Sequence, residues 1–278
     1  MGNPFNGQGE IKLAVAIENL RKDIRMREES DRQMSTAWLL IYLAPIIIIV
    51  ASVAYTYISM IEIFASIDPT APYYNFSDGF TAEFVRAWIV IGLTGLINFA
   101  VAIVLIYMLV NRRYTHFKRQ KFLLEDIIAA IGSLAKTKDI DIGASLSPIE
   151  RTVREANAEE TEKSAILWAI LSAFVPFAQF YVYYFLMKDF YRHERREDGF
   201  WEDASSALNR LSVNFSVPRR TETMPDRSFV LYLILSVITV GLFGIYWVYV
   251  MLKDPNEHFK YHIHAESQLM STLEPALS

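Results

Sequence analysis

Apolar residues in this chain are gathered into four blocks, 37–64, 84–110, 165–187 and 229–252, and the polar stretches between them carry apolar positions at helical spacing. A helix needs roughly 20 apolar residues to cross about 30 Å of hydrocarbon, where only intrahelical pairing satisfies the backbone. All four blocks meet that length. The pattern therefore predicts an all-α fold: a polytopic integral membrane protein with four hydrophobic segments and amphipathic cytoplasmic helices. Trp38, Trp88, Trp168 and Trp247 fall towards the segment ends, as interfacial anchors do. The first 34 residues are polar and lack the short apolar core of a cleavable signal, so the first segment is expected to act as an uncleaved anchor.

Lysine and arginine set the expected sidedness. Six precede the first segment, while the stretch 65–83 has none and carries Asp68, Asp78 and Glu83. This predicts multi-pass insertion in the cell membrane with both termini cytoplasmic. The stretch 112–163 has ten, as a cytoplasmic loop should, but 188–227 has eight, which an external loop should not. Two readings stay open. Segments three and four, interrupted by Val175-Pro176-Phe177 and by Gly241-Leu242-Phe243-Gly244, either re-enter as hairpins or cross as kinked spans. Half a segment, about a dozen residues, is roughly 18 Å long and falls short of the far side.

Segments three and four are copies of one another. Lys163-Ser164-x-x-Leu167-Trp168-x-Ile170-Leu171-Ser172 aligns with Arg227-Ser228-x-x-Leu231-Tyr232-x-Ile234-Leu235-Ser236. Met187-Lys188-Asp189 followed by His193 aligns with Leu252-Lys253-Asp254 followed by His258. A fainter third copy runs from residues 35–42 to Val110-Asn111 and His116. The expected organisation is a cytoplasmic amphipathic helix over 1–34, a first membrane unit of two spans and a helix over 35–135, and a linker with a helix start over 136–162. A second membrane unit (163–216), a linker (217–226) and a third unit with a C-terminal amphipathic helix (227–278) complete it. The stripes Leu13, Ile17, Leu20, Ile24; Phe117, Leu124, Ile127, Ile131, Leu134; Trp201, Ala204, Leu208, Leu211; and Phe259, Ile263, Met270, Leu273 are expected to bundle together. Ser147-Pro148-x-Glu150 reads as the start of a helix running into segment three, and 132–147 and 217–226 read as flexible linkers.

The run Gly241-Leu242-Phe243-Gly244-Ile245-Tyr246-Trp247-Val248-Tyr249, followed by Lys253 and Asp254, resembles an uncharacterised family of small prokaryotic membrane proteins. Members of that family carry a glycine-interrupted apolar segment ending in Gly-Ile-Tyr-Trp-x-Tyr. The resemblance covers little more than residues 227–270 and implies a membrane location without an activity.

Candidate chemistry is sparse. A net charge of −4 argues against nucleic acid as a partner; the lipid bilayer and other membrane subunits, or further copies of this chain, are expected instead. No cysteine is present, so thiolate chemistry is excluded. Phosphate-binding glycine loops, G-x-S-x-G and H-E-x-x-H are absent, so neither an enzyme nor a cofactor is expected. His258 and His262, four apart on one helix face, and nearby His264 are weak metal candidates, with Glu257 and Glu266 as carboxylates. Yet His116, His193 and His258 recur at equivalent repeat positions, which reads as a structural role, and no metal is expected. Asn98 and Gln179 are the polar positions deep in the apolar segments, and Glu62 and Arg86 sit at matching depth for an ion pair. The expected function is a non-enzymatic membrane scaffold or assembly subunit, membrane-shaping if its hairpins are shallow wedges. The alternative is a channel or transporter component of an oligomeric complex.

Overall fold

The computed structural model describes the backbone of residues 4–65 and 74–277 and the side chains of 10–65 and 80–276. Asp68 and Asp78, in the expected external loop, lie outside the described side chains. Every regular element among the described residues is a helix. In chain order these are α1 (Pro4–Arg25), α2 (Arg27–Ser30), α3 (Trp38–Ala65), α4 (Tyr74–Thr137), α5 (Gly143–Glu159), α6 (Ala165–Phe174), α7 (Ala178–Arg210), α8 (Phe229–Ile238) and α9 (Leu242–Leu273), followed by a final 3₁₀ turn.

Two of these, α3 and α4, are long and apolar enough to cross a membrane. Their most apolar windows are 6% and 17% buried, so they present their side chains outward instead of filling a core. In α4 the apolar stretch passes without a break into an amphipathic one, making a single rod of 64 residues, about 96 Å at 1.5 Å per residue. Segments three and four are each broken. Between α6 and α7 the chain turns at Val175-Pro176-Phe177, with Phe177 at φ 65°; between α8 and α9 it turns at Val240 and Gly241, at φ 51° and 89°. The first arms, α6 and α8, are 10 residues each, about 15 Å long. Ser164 and Ser228 cap them alike, each side-chain oxygen accepting from the backbone N–H three residues on, that of Leu167 or Leu231, at 3.3 Å.

The molecule has two tiers. In the apolar tier, α3, the first half of α4, α6, α8 and the first turns of α7 and α9 pack around Leu105, Leu109, Phe185, Trp247 and Val248. In the polar tier, α1, the second half of α4, α5 and the distal parts of α7 and α9 close a core around Leu20, Ile127, Ile149, Trp201 and Leu269. Each such side chain contributes about 1.5–3 kcal/mol when fully buried. Residues from before segment one, between two and three, between three and four, and after four thus share one core.

Several expectations are corrected here. The helix expected to start at Ser147 starts at Gly143, whose N–H is accepted by Asp141 Oδ1 at 2.9 Å; Pro148 lies inside it, and it ends at Glu159 without reaching segment three. The span 132–147 is mostly helical. The stretch 217–226 has no helix but is pinned, with Met224 buried and Arg220 bound to acids of α7. Three of the stripes bundle as expected, with Phe117 displaced into a separate aromatic cluster with Phe190 and Phe259. The fourth is different: Ile263 is exposed, and the inward face of α9 carries Tyr261, Ala265 and Leu269 beside His258, His262 and Glu266. A stripe built partly from polar side chains escapes an apolar count.

Candidate metal centre

Where the two tiers meet, α4, α7 and α9 each turn a histidine inward, at 116, 193 and 258, and α9 adds His262 one turn further on. All four rings are buried, and one ligand atom from each lies within 4.8 Å of every other. The Nε2 of His116 is 3.3 Å from that of His193 and 3.2 Å from that of His258, and the Nε2 of His258 is 3.1 Å from that of His262.

The outer nitrogens are all engaged. His116 Nδ1–H donates to Asp31 at 2.9 Å, His193 Nδ1–H to Glu160 at 2.9 Å and His258 Nδ1–H to Glu194 at 3.0 Å, while His262 Nδ1 lies 3.1 Å from Glu266 and 2.7 Å from the Gln120 amide nitrogen. Each carboxylate is held in turn by an arginine: Asp31 by Arg119 (2.7 Å), Glu160 by Arg196, Glu194 by Arg220 (3.5 Å) and Glu266 by Arg119 (2.8 Å) and Arg27 (3.1 Å). With Nδ1 carrying the proton, Nε2 of a neutral ring is a bare lone pair. Burial drives His116 down to about 3 and His258 well below the usual histidine value, so both are neutral. Lone pairs of neutral rings facing one another near 3.2 Å repel unless a cation lies between them.

The arrangement is the repeat made three-dimensional. Asp31, Glu160 and Met224 each stand four residues before the leading serines Ser35, Ser164 and Ser228. In the first two units that acid grips the unit's own histidine, and the arginine three residues after the histidine, Arg119 or Arg196, grips the acid. In the third unit the acid is replaced by Met224, whose N–H donates to Glu194 at 2.6 Å; Glu194 then serves His258 in its place. Tyr261 replaces the arginine, and the Arg220 guanidinium lies over its ring at 3.6 Å.

Glu197 adds a fifth inward group. Its Oε1 is 3.2 Å from His262 Nε2 and its Oε2 3.8 Å from His258 Nε2, while Trp201 Nε1–H (2.9 Å) and Arg220 (2.9 Å) hold it from behind. Although burial opposes ionisation, these cations and donors keep its carboxyl well below the ordinary value. Burial also opposes the charge on His262, but Glu197 and Glu266 outweigh it and raise that ring to about 9.

A cavity of about 280 Å³ lined by Glu194, Glu222, Asp254 and Glu257 together with Arg227 and Lys253 reaches His258 and gives a polar approach from solvent. Four imidazoles oriented by carboxylates form a donor set for a first-row transition ion. Metal–nitrogen bonds of about 2.0–2.1 Å place neighbouring donors about 3.0–3.4 Å apart, and the close Nε2 pairs match that spacing.

Of the residues expected from the sequence, His258 and His262 are in this centre, whereas His264 is exposed on the other face of α9. Glu266 supports the centre, and Glu257 pairs with Lys260 at 2.7 Å. Asn98 is half-buried in α4 with its Oδ1 unpartnered; Gln179 donates to the Tyr183 hydroxyl at 2.6 Å. Arg86 pairs with Glu83 in its own helix at 2.7 Å, and no Glu62–Arg86 pair forms among the described residues. The metal-ligand spacing His258-x-x-x-His262 shows half of the donor set. His116 and His193 are flagged by recurrence, and Asp31 and Glu160 by their common offset from the leading serines.

Residues 227–273, the third unit, match a family described as a domain of unknown function (DUF4234). No curated protein and no solved structure matches the chain.

Proposed function

We propose that this is a membrane-anchored metalloprotein in which a divalent first-row transition ion ties three repeat units together at the cytoplasmic face of the membrane. The observation that carries this is the convergence of four buried Nε2 atoms, each on a ring whose Nδ1 has a carboxylate within 3.1 Å. Such a buried set is costly without a cation, and the metal binding energy becomes folding energy for the units that supply the ligands.

The membrane placement rests on the outward apolar surfaces of α3, α4, α6 and α8. Segments three and four are best read as re-entrant hairpins. Their basic flanks share the polar core with α1 and the distal part of α4, so each hairpin returns to the side it left, which removes the conflict with positive-inside charge. Both termini then lie in the cytoplasm. The role is that of a non-enzymatic scaffold whose assembled state depends on the metal.

Elemental analysis tests the metal. Protein purified in detergent, stripped and exposed in turn to Fe2+, Mn2+, Co2+ and Zn2+ should retain about one equivalent of at least one ion after desalting. H258A and H116A should lose it, and H264A should keep it. Absence of stoichiometric retention of any of the four by the folded wild type would overturn the proposal.

A further inference from the structure

Resting on that reading, the geometry points to a particular coordination class. We infer that the centre takes a five- or six-coordinate ion, with Glu197 as its fifth protein ligand and one position left for a small exchangeable ligand.

The argument starts from the repeat. Each of the three central helices presents two inward positions one turn apart: His116 and Gln120 on α4, His193 and Glu197 on α7, His258 and His262 on α9. All six side chains are buried. By position along the helices they fall into two sets of three, an upper triangle at 116, 193 and 258 and a lower one at 120, 197 and 262. An octahedral ligand set viewed down its threefold axis has the same form, two triangles of donors above and below the ion.

The upper triangle is uniformly histidine. The lower one is glutamine, glutamate and histidine, and its members differ in what they do. His262 and Glu197 both reach the inner space, their facing atoms 3.2 Å apart. Gln120 does not: its amide nitrogen lies 2.7 Å from His262 Nδ1, the outer nitrogen, and 3.4 Å from Glu266. It supports a ligand and leaves its own corner of the lower triangle open. Its carbonyl oxygen is buried without a partner, so a polar group can still be placed beside it.

Glu197 has the marks of a ligand. It is fixed by Trp201 and Arg220 in the manner of a carboxylate oriented for a metal. A closed four-histidine zinc site needs no fifth inward carboxylate. Four imidazole nitrogens and one carboxylate instead fit the six-coordinate preference of Fe2+, Mn2+ or Co2+, with the last position open to water or a small anion.

Cobalt reports this directly, because tetrahedral Co2+ has intense visible bands and five- or six-coordinate Co2+ has weak ones. Wild-type protein loaded with Co2+ should show weak bands that change on titration with azide. E197A should bind Co2+ roughly tenfold or more weakly, and H264A, outside the centre, should leave the spectrum in place. Intense bands indifferent to azide would overturn the inference while leaving the metal proposal standing. Failure to bind any metal would overturn the parent reading instead. The azide titration uses wild-type protein, so it decides the matter even if E197A does not fold.

Discussion

His116 Nε2 lies 3.2 Å from His258 Nε2, across 142 residues of sequence, with each ring's other nitrogen committed to its own carboxylate. With each ring's Nδ1–H given to its carboxylate, the two facing nitrogens are both acceptors, and burial disfavours a second proton on either ring. The contact joins the first and third repeat units and lies within the proposed metal site.

The supporting carboxylates are separable from the ligands. E160Q keeps a hydrogen-bond partner for His193 but lowers the basicity of its Nε2 and weakens the grip of Arg196. Metal affinity, measured by competition with a chelator of known strength, should fall about 10–100-fold, with the fold intact by circular dichroism. An unchanged affinity would mean that His193 does not bind the ion.

Metal should also stabilise the fold. At free metal 100 times Kd the linkage contributes about 2.7 kcal/mol, so thermal unfolding in detergent should shift upward with metal and return on chelation. H264A should shift in parallel with the wild type, since His264 is outside the centre.

The shared core makes a topological prediction. With no native cysteine, single cysteines at Ser206, Ser267 and Ala82 can be labelled in intact cells by an impermeant maleimide. All three positions are exposed in the fold. Ala82 should label, whereas Ser206 and Ser267 should stay protected until the cells are opened. Labelling of Ser206 from outside would mean that segments three and four cross.

Asp23, on α1, is buried facing Asp126, and burial with that neighbour pushes its carboxyl up to about 7. A raised acid favours the fold when protonated, so its contribution is fully present below the unfolded value near 4 and is lost as pH rises through about 7. D23N should therefore raise Tm at pH 8 and change it little at pH 4. An equal shift at both values would argue against ionisation of Asp23 as the cause.

At the second hairpin tip, Val240 adopts φ 51° and is 94% exposed, a left-handed conformation that a β-branched residue resists. V240G should stabilise the protein by about 1 kcal/mol in thermal unfolding. G241A, at φ 89° with open space around its Cα, should destabilise it by a similar amount through the backbone alone.

Apolar block lengths, the helix breaks at Pro176 and Gly241, and the repeat of histidines at 116, 193 and 258 are all local or periodic features, and each was readable along the chain. The apolar stripes were readable where every member is apolar, as in α1 and the distal part of α7, and unreadable in α9, where His258, His262 and Glu266 share the buried face. The start of α5 is not legible at Ser147 because the helix begins four residues earlier, just after Asp141 Oδ1 accepts from Gly143 N–H.

The sequence by itself determined that three equivalent histidines stand one per unit just beyond an apolar segment, because spacing within a helix is a property of the chain. Only the tertiary structure decided that their Nε2 atoms meet. That depends on α4, α7 and α9 packing side by side, and on Asp31, Glu160, Glu194 and Glu266 reaching the outer nitrogens from other turns and other units. Direction and distance between side chains more than 60 residues apart are set by packing, and no spacing rule along one strand of sequence encodes them.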